Sequence, residues 1–210
     1  MFRILFPEAV FRLGTKEKCV YLTFDDGPVP QVTPRVLDLL DHYGVKATFF
    51  MVGDNVRRYP GLLEDVLRRG HAVGNHTMHH LKGFGVSARR YMADVREADR
   101  YIASHLFRPP HGLLRWKQAA LLKQEFTLIM YDLVTRDYSR HLTADDVIRN
   151  VRKYARPGAI IVFHDSLKSL PRLFDSLGPS IEWLLSQGYE FRRLSRPDER
   201  LHAPSSDITQ

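Results

Sequence analysis

From Val20 to Leu194 the chain repeats one pattern: a short apolar run, a turn, then an amphipathic helical stretch. VYLTF (Val20–Phe24) is β-rich, and TPRVLDLLDHYG follows it, with Thr33 as the expected N-cap, Pro34 at the first helical position and Gly44 closing the helix. KATFFMVG, HAVGN, the strand end that opens LFRPPHG, TLIMYDL, AIIVFH and YEFRRL supply further strands. The helices between them are PGLLEDVLRRG, a charged stretch from Ser87 to about His105, WKQAALLKQ, a segment capped by Thr143 and running to about Tyr154, and a last one from about Leu170 to Ser186. Strands alternating with helices admit few folds, because parallel neighbours need a helical crossover of one hand. About seven such units predict an α/β chain whose strands curl into a closed or nearly closed barrel. No linker, repeat or low-complexity tract interrupts the alternation, so one domain is expected over 1–210, with a core of about 20–194. The polar, Pro-containing tail from Ser195 is expected to fray.

In parallel α/β architectures ligands gather at the carboxyl ends of the strands. The residues at those places are Asp25 and Asp26, Asn75 and His76 with His80 close behind, Arg108 before two prolines, Asp132 and Asp137, and His164 with Asp165. Titratable groups recurring at five strand ends point to a site rather than to a structural barrel.

The 210 residues are 44% hydrophobic and 26% charged, which suits a globular chain able to build a full core. The net charge of +7 comes from Lys and Arg spread along the chain rather than packed into one footprint, so a solvated basic surface is expected and nucleic acid is not. The single cysteine, Cys19, excludes an internal disulfide and a Cys-based zinc cluster, and its place beside the first strand predicts a buried structural thiol. MFRILFPEAVFRLG is mildly hydrophobic but is interrupted by Pro7 and Glu8. Neither a signal peptide nor a membrane span is expected, which predicts a cytoplasmic protein unless the natural start lies upstream.

In NHTMHH, His76 and His80 stand four apart, the spacing that puts two imidazoles on one side of a helical turn. That pair alone is a weak metal signal. An oxygen from Asp25 or Asp26 would complete a set of two histidines and one carboxylate, which leaves positions open for water and substrate. Non-haem iron uses a similar set, so the donors do not name the metal. His79 is expected to be exposed or structural, and Asn75 and Thr77 to brace the loop.

TFDDGP, HTMHH, RPPHG, the stretch ending in RDY, and FHD occur in this order. Together they resemble the NodB-type polysaccharide deacetylases, carbohydrate esterase family 4, over roughly Val20 to Leu194. The resemblance implies a distorted (β/α) barrel and removal of acetyl groups from sugars such as N-acetylglucosamine with a divalent metal, zinc first and cobalt or nickel as alternatives. It assigns Asp25 as general base and Asp26, His76 and His80 as metal ligands. Arg108 would brace Asp25, His164 would act as general acid, and Asp137 would orient and tune that histidine in preference to Asp132. The backbone N–H of His111 would help to hold the oxyanion, and Asp165 is expected to cap the turn after it. Three positions depart from the family pattern: His111 replaces a tyrosine, Tyr138 replaces a tryptophan, and Val162 replaces a leucine. They bear on the acyl and sugar pockets rather than on the metal. The expected partner is an N-acetylated glycan; a non-sugar amide or cyclic imide, or a glycan-binding module without turnover, are the alternatives.

Overall fold

The structure, a computed structural model, describes residues 6–195. Residues 1–5 and, beyond Ser195, the tail expected to fray lie outside that range. The strands among the described residues are β1 (Cys19–Asp25), β2 (Thr48–Met51), β3 (Ala72–Asn75), β4 (Leu106–Phe107), β5 (Thr127–Leu128), β6 (Leu133–Val134), β7 (Ala159–His164) and β8 (Glu190–Phe191). Among the described residues the α-helices are α1 (Thr33–His42), α2 (Gly53–Arg58), α3 (Pro60–Arg68), α4 (Ala88–Ile102), α5 (Trp116–Leu122), α6 (Ala144–Tyr154) and α7 (Leu170–Ser186). The strands pair in the order β5-β4-β3-β2-β1-β7-β6, with β8 added to β1, and every ladder between them is parallel. This is the curled, distorted barrel that the resemblance implied; no ladder joins β5 to β6 among the described residues, so the barrel read from the alternation stays open between them. No helix among the described residues is long and apolar enough to cross a membrane.

β1 is buried along its whole length, as a strand covered on both faces must be. Its period of two sorts the side chains. Val20, Leu22 and Phe24 join the outer core with Phe49, Ile161 and Phe163, and Phe24 stacks on Phe49 at 4.9 Å. Cys19 and Tyr21 turn to the other face, packing with Phe50, Leu106 and Ile160, and Thr23 and Asp25 share that face. Cys19 is a buried free thiol, as expected.

Three expectations change. TLIMYDL is not one strand. Thr127–Leu128 pairs with β4 and Leu133–Val134 with β7, so the run crosses from one wall of the barrel to the other. An N-terminal segment fills the space it crosses: Val10 bridges Ile129, and Arg12 bridges Ala159. Residues Gly53–Arg58 form a helix that no periodicity announced. Thr33 is the first residue of α1 rather than its N-cap; its hydroxyl accepts from Val29 N–H at 2.7 Å and donates to Asp165 at 2.6 Å.

Gly74 in β3 is required by packing. A Cβ there would lie 2.4 Å from the Phe50 ring, and that ring carries the guanidinium of Arg108 at 4.0 Å. Gly74→Ala is therefore expected to lower the unfolding free energy by about 1–3 kcal/mol, measured as a fall in the urea midpoint with an unchanged slope.

Candidate active site and metal centre

The strand ends open into a cavity of about 180 Å3 lined by Asp25, Asp26, His76, His80, His111 and His164, among others. A larger groove of about 670 Å3 beside Phe84, Leu114 and Trp116 contains none of these groups.

Asp25 ends β1 and is 6% exposed. Arg108, following the two-residue β4, is 1% exposed and reaches across the barrel to it. Its Nη1 donates to Asp25 at 2.6 Å and to Thr23 Oγ1 at 2.8 Å, and its Nη2 donates to the Met130 carbonyl at 3.0 Å. A charge is tolerated at this depth because a partner and several hydrogen bonds accompany it.

Asp26 lies in the turn beyond, with φ of 80°. Asn55 Nδ2 donates to its carbonyl at 2.9 Å, and Val52 N–H donates to the Gly27 carbonyl at 2.8 Å. Asp165 holds the same turn from the other side. It accepts from Gly27 N–H at 3.1 Å and from the Thr33 hydroxyl, and its own N–H donates to the Asp25 carbonyl at 3.2 Å. A Cβ on Gly27 would sit 2.0 Å from Asp165 Oδ2, so only glycine allows that approach. Burial pushes the Asp165 carboxyl up to about 8. Asp165 thus braces TFDDGP and does not cap the turn that follows it; Ser169 does so, donating to the carbonyls of His164 and Ser166.

His76 and His80 approach Asp26 from a loop, not from the helical turn that their spacing suggested. Thr77 and His80 have φ of 67° and 51°, and the N-terminal N–H groups of α2 fasten the loop: Gly53 donates to Thr77 O and Asp54 to Met78 O, both at 2.9 Å. Asn75 accepts from Thr77 N–H at 2.9 Å and donates to the Val95 carbonyl at 3.0 Å. His79 points away and pairs with Asp94 at 2.7 Å.

The donor set suits a divalent ion. Asp26 Oδ1 is 3.1 Å from His80 Nε2 and 3.7 Å from His76 Nε2, and one donor atom from each residue lies within 4.8 Å of the others. Ligands about 2.0–2.1 Å from a tetrahedral zinc stand roughly 3.3 Å apart. His76 Nδ1 donates to the Arg108 carbonyl at 2.8 Å, which leaves the Nε2 lone pair facing the other two donors. Burial lowers the His76 pKa to about 4, keeping the ring neutral as a ligand must be. Burial works against the charge of Asp26, yet the hydrogen bond with His80 and the nearby His164 and His76 hold its carboxyl well below the usual range.

His164 ends β7 beside Asp25. Asp137 accepts from its backbone N–H and from its ring Nδ1, both at 2.8 Å, leaving Nε2 for the cavity. Burial disfavours the imidazolium, but the hydrogen bond and charge of Asp137 prevail and raise its pKa to about 9. Asp132 is engaged elsewhere, with Arg156 at 2.6 Å. Tyr138 sets its ring edge-on to His164 at 4.8 Å, and His111 does the same to His80 at 4.8 Å. His111 takes φ of 59° in a tight turn whose bonds run from Gly112 N–H to Pro109 O and from Leu113 N–H to Pro110 O. Its side chain is held below the ordinary histidine pKa by burial, with His80, Lys82 and Lys168 adding to the effect. Val162 lines the cavity, joined by Tyr131, Val134 and Lys168, which sequence reasoning missed. All but one lie at or near strand ends; Lys168 stands in the loop after β7.

The polysaccharide deacetylase family profile matches residues 12–125. A peptidoglycan-N-acetylglucosamine deacetylase of Bacillus cereus is 35% identical over 193 residues, covering 88% of this chain and 90% of that protein. A chitooligosaccharide deacetylase of Sinorhizobium fredii is 36% identical over 165 residues, covering 73% and 75%. Other relatives are longer, and the chain spans 65% and 37% of two of them. Among solved structures, a peptidoglycan N-acetylglucosamine deacetylase superposes with a TM-score of 0.83 at 30% identity, over 88% of this chain and 89% of that one. With the fold, the order of its motifs and the profile in agreement, the chain belongs to the polysaccharide deacetylase family.

Proposed function

We propose that the protein is a metal-dependent hydrolase that removes acetyl groups from N-acetylated sugars in peptidoglycan- or chitin-like glycans. The observation that carries this reading is the meeting, in one cavity, of a metal-donor trio, a carboxylate braced by arginine and a histidine held by a carboxylate. Asp26, His76 and His80 would hold the ion, zinc being the best match to the set, with cobalt or nickel as substitutes. When bound, such an ion supplies Lewis acidity, which acidifies water and polarises a carbonyl.

The chain's own residues do the rest. Asp25, fixed by Arg108, takes a proton from the attacking water as its oxygen bonds to the acetyl carbon. The backbone N–H of His111 donates to the oxyanion that develops. As the C–N bond breaks, His164 Nε2 gives its proton to the departing nitrogen, releasing acetate and a free amine. Asp137 keeps that imidazole charged and aimed until the transfer. Tyr138 offers an aromatic wall beside it.

Protein loaded with zinc, cobalt or nickel and given N-acetylglucosamine oligomers is expected to release acetate; no release from protein shown to bind metal counts against the reading. Asp25→Asn should reduce turnover at least about 100-fold while metal affinity persists. His76→Ala should lose both, and chelation should silence the wild type until metal is restored.

The pH profile carries a second expectation. A folded-state pKa raised to about 9 keeps His164 protonated through neutrality, and the acid is lost as pH rises past that value. The share contributed by Asp137 persists when Asp26 is occupied by a cation. Asp137→Asn removes the largest contributions that oppose burial and leaves only the charges of Asp26 and Asp25 against it, so the alkaline limb of kcat/KM should move to lower pH by about one unit or more. An unmoved limb would assign it to another group.

A further inference from the structure

The charged side chains that line the reaction cavity are nearly all answered from within the fold. Asp25 has Arg108 at 2.6 Å, Asp26 has His80 at 3.1 Å, and His164 has Asp137 at 2.8 Å. Lys168 is the exception. It lines the cavity from the loop after β7 and is exposed, and no ion pair joins its ammonium to an acid among the described residues. The remaining wall around it is neutral, with Pro109, Tyr131, Val134 and Tyr138. Lys82, also exposed, adds a second cation near His111. The acids of the cavity cannot serve Lys168 in the working enzyme, since one is tied to arginine and the other would be tied to an ion. A divalent ion beside a single ligating carboxylate adds to the positive field. A cleft with low-dielectric walls concentrates such a field at its mouth and selects anions there.

We propose that Lys168 determines substrate choice by receiving an anionic group, carboxylate or phosphate, carried on or next to the N-acetylated sugar, so that acidic glycans are preferred to neutral ones. This rests on the deacetylase reading and narrows it. Glycans that alternate N-acetylglucosamine with a sugar bearing a lactyl carboxylate meet the requirement; homopolymers of N-acetylglucosamine do not. The lysine would pair with substrate at a hydrated rim, where an ion pair contributes modestly and is weakened by salt.

The test compares kcat/KM on a neutral N-acetylglucosamine oligomer with that on an oligomer of equal length containing the lactyl-bearing sugar, before and after esterification of its carboxylate. A phosphorylated N-acetylglucosamine oligomer separates phosphate from carboxylate as the group received. Lys168→Gln is expected to cost about threefold to fivefold on the acidic oligomer through KM, with a clearly smaller effect on the neutral and esterified ones. Lys168→Arg should retain the preference, and added salt should shrink it in the wild type. Equal losses on acidic and neutral substrates, or none on either, would overturn the proposal. Should the wild type release no acetate from any oligomer, the deacetylase reading fails. Calorimetric titration of Asp25→Asn protein, with and without Lys168→Gln, then still decides: a weakening confined to the acidic oligomer supports the role of Lys168, and its absence refutes it.

Discussion

The buried ion pair between Arg108 and Asp25 is the contact on which the rest of the site depends. Guanidinium and carboxylate both lie almost out of reach of water, so neither is tolerable alone; removing one partner of such a pair costs about 3–5 kcal/mol. The surroundings are arranged to keep both. Thr23 on β1 and the Met130 carbonyl take further guanidinium protons, and the Phe50 face supports the cation. The same residue works through its backbone as well. The Arg108 carbonyl receives the Nδ1 proton of His76 and so decides which nitrogen of that ring can bind a metal. One residue at the end of a two-residue strand orients the expected base with its side chain and a metal donor with its main chain.

Much of this was legible in the sequence because the physical signals were local. β1 and β7 are strands buried on both faces, and such strands read as nearly continuous apolar runs. The polar residues that terminate them, Asp25 and His164, therefore stand out as a change of environment. Ser87 and Thr143 cap the helices they were expected to cap, each accepting from a backbone N–H three residues on. The choice between Asp132 and Asp137 followed from the resemblance, and the structure pairs the second with His164 and the first with Arg156.

What escaped were features decided by contacts distant in the chain. TLIMYDL has one uninterrupted β signal, but which neighbour each half pairs with depends on Val10 and Arg12 filling the space between the walls. GDNVRR has too few turns to announce itself, and its first N–H groups are engaged by the histidine loop. The i, i+4 histidine spacing is satisfied equally by a helix and by a loop with two left-handed residues, so the spacing identified the pair but not the backbone beneath it. Tyr131 and Lys168 carry no motif of their own; only the folded cavity shows that they line it.

The close approach of Gly27 to Asp165 has a consequence for how such a sequence can change. The Asp165 carboxyl group occupies the volume that a side chain at position 27 would need, and it supplies the acceptor that the Gly27 N–H requires. Neither position can drift by itself. A larger residue at 27 demands a shorter one at 165, and a shorter one at 165 strands the N–H of the turn beside Asp26. Two sites 138 residues apart in sequence thus behave as a single heritable unit.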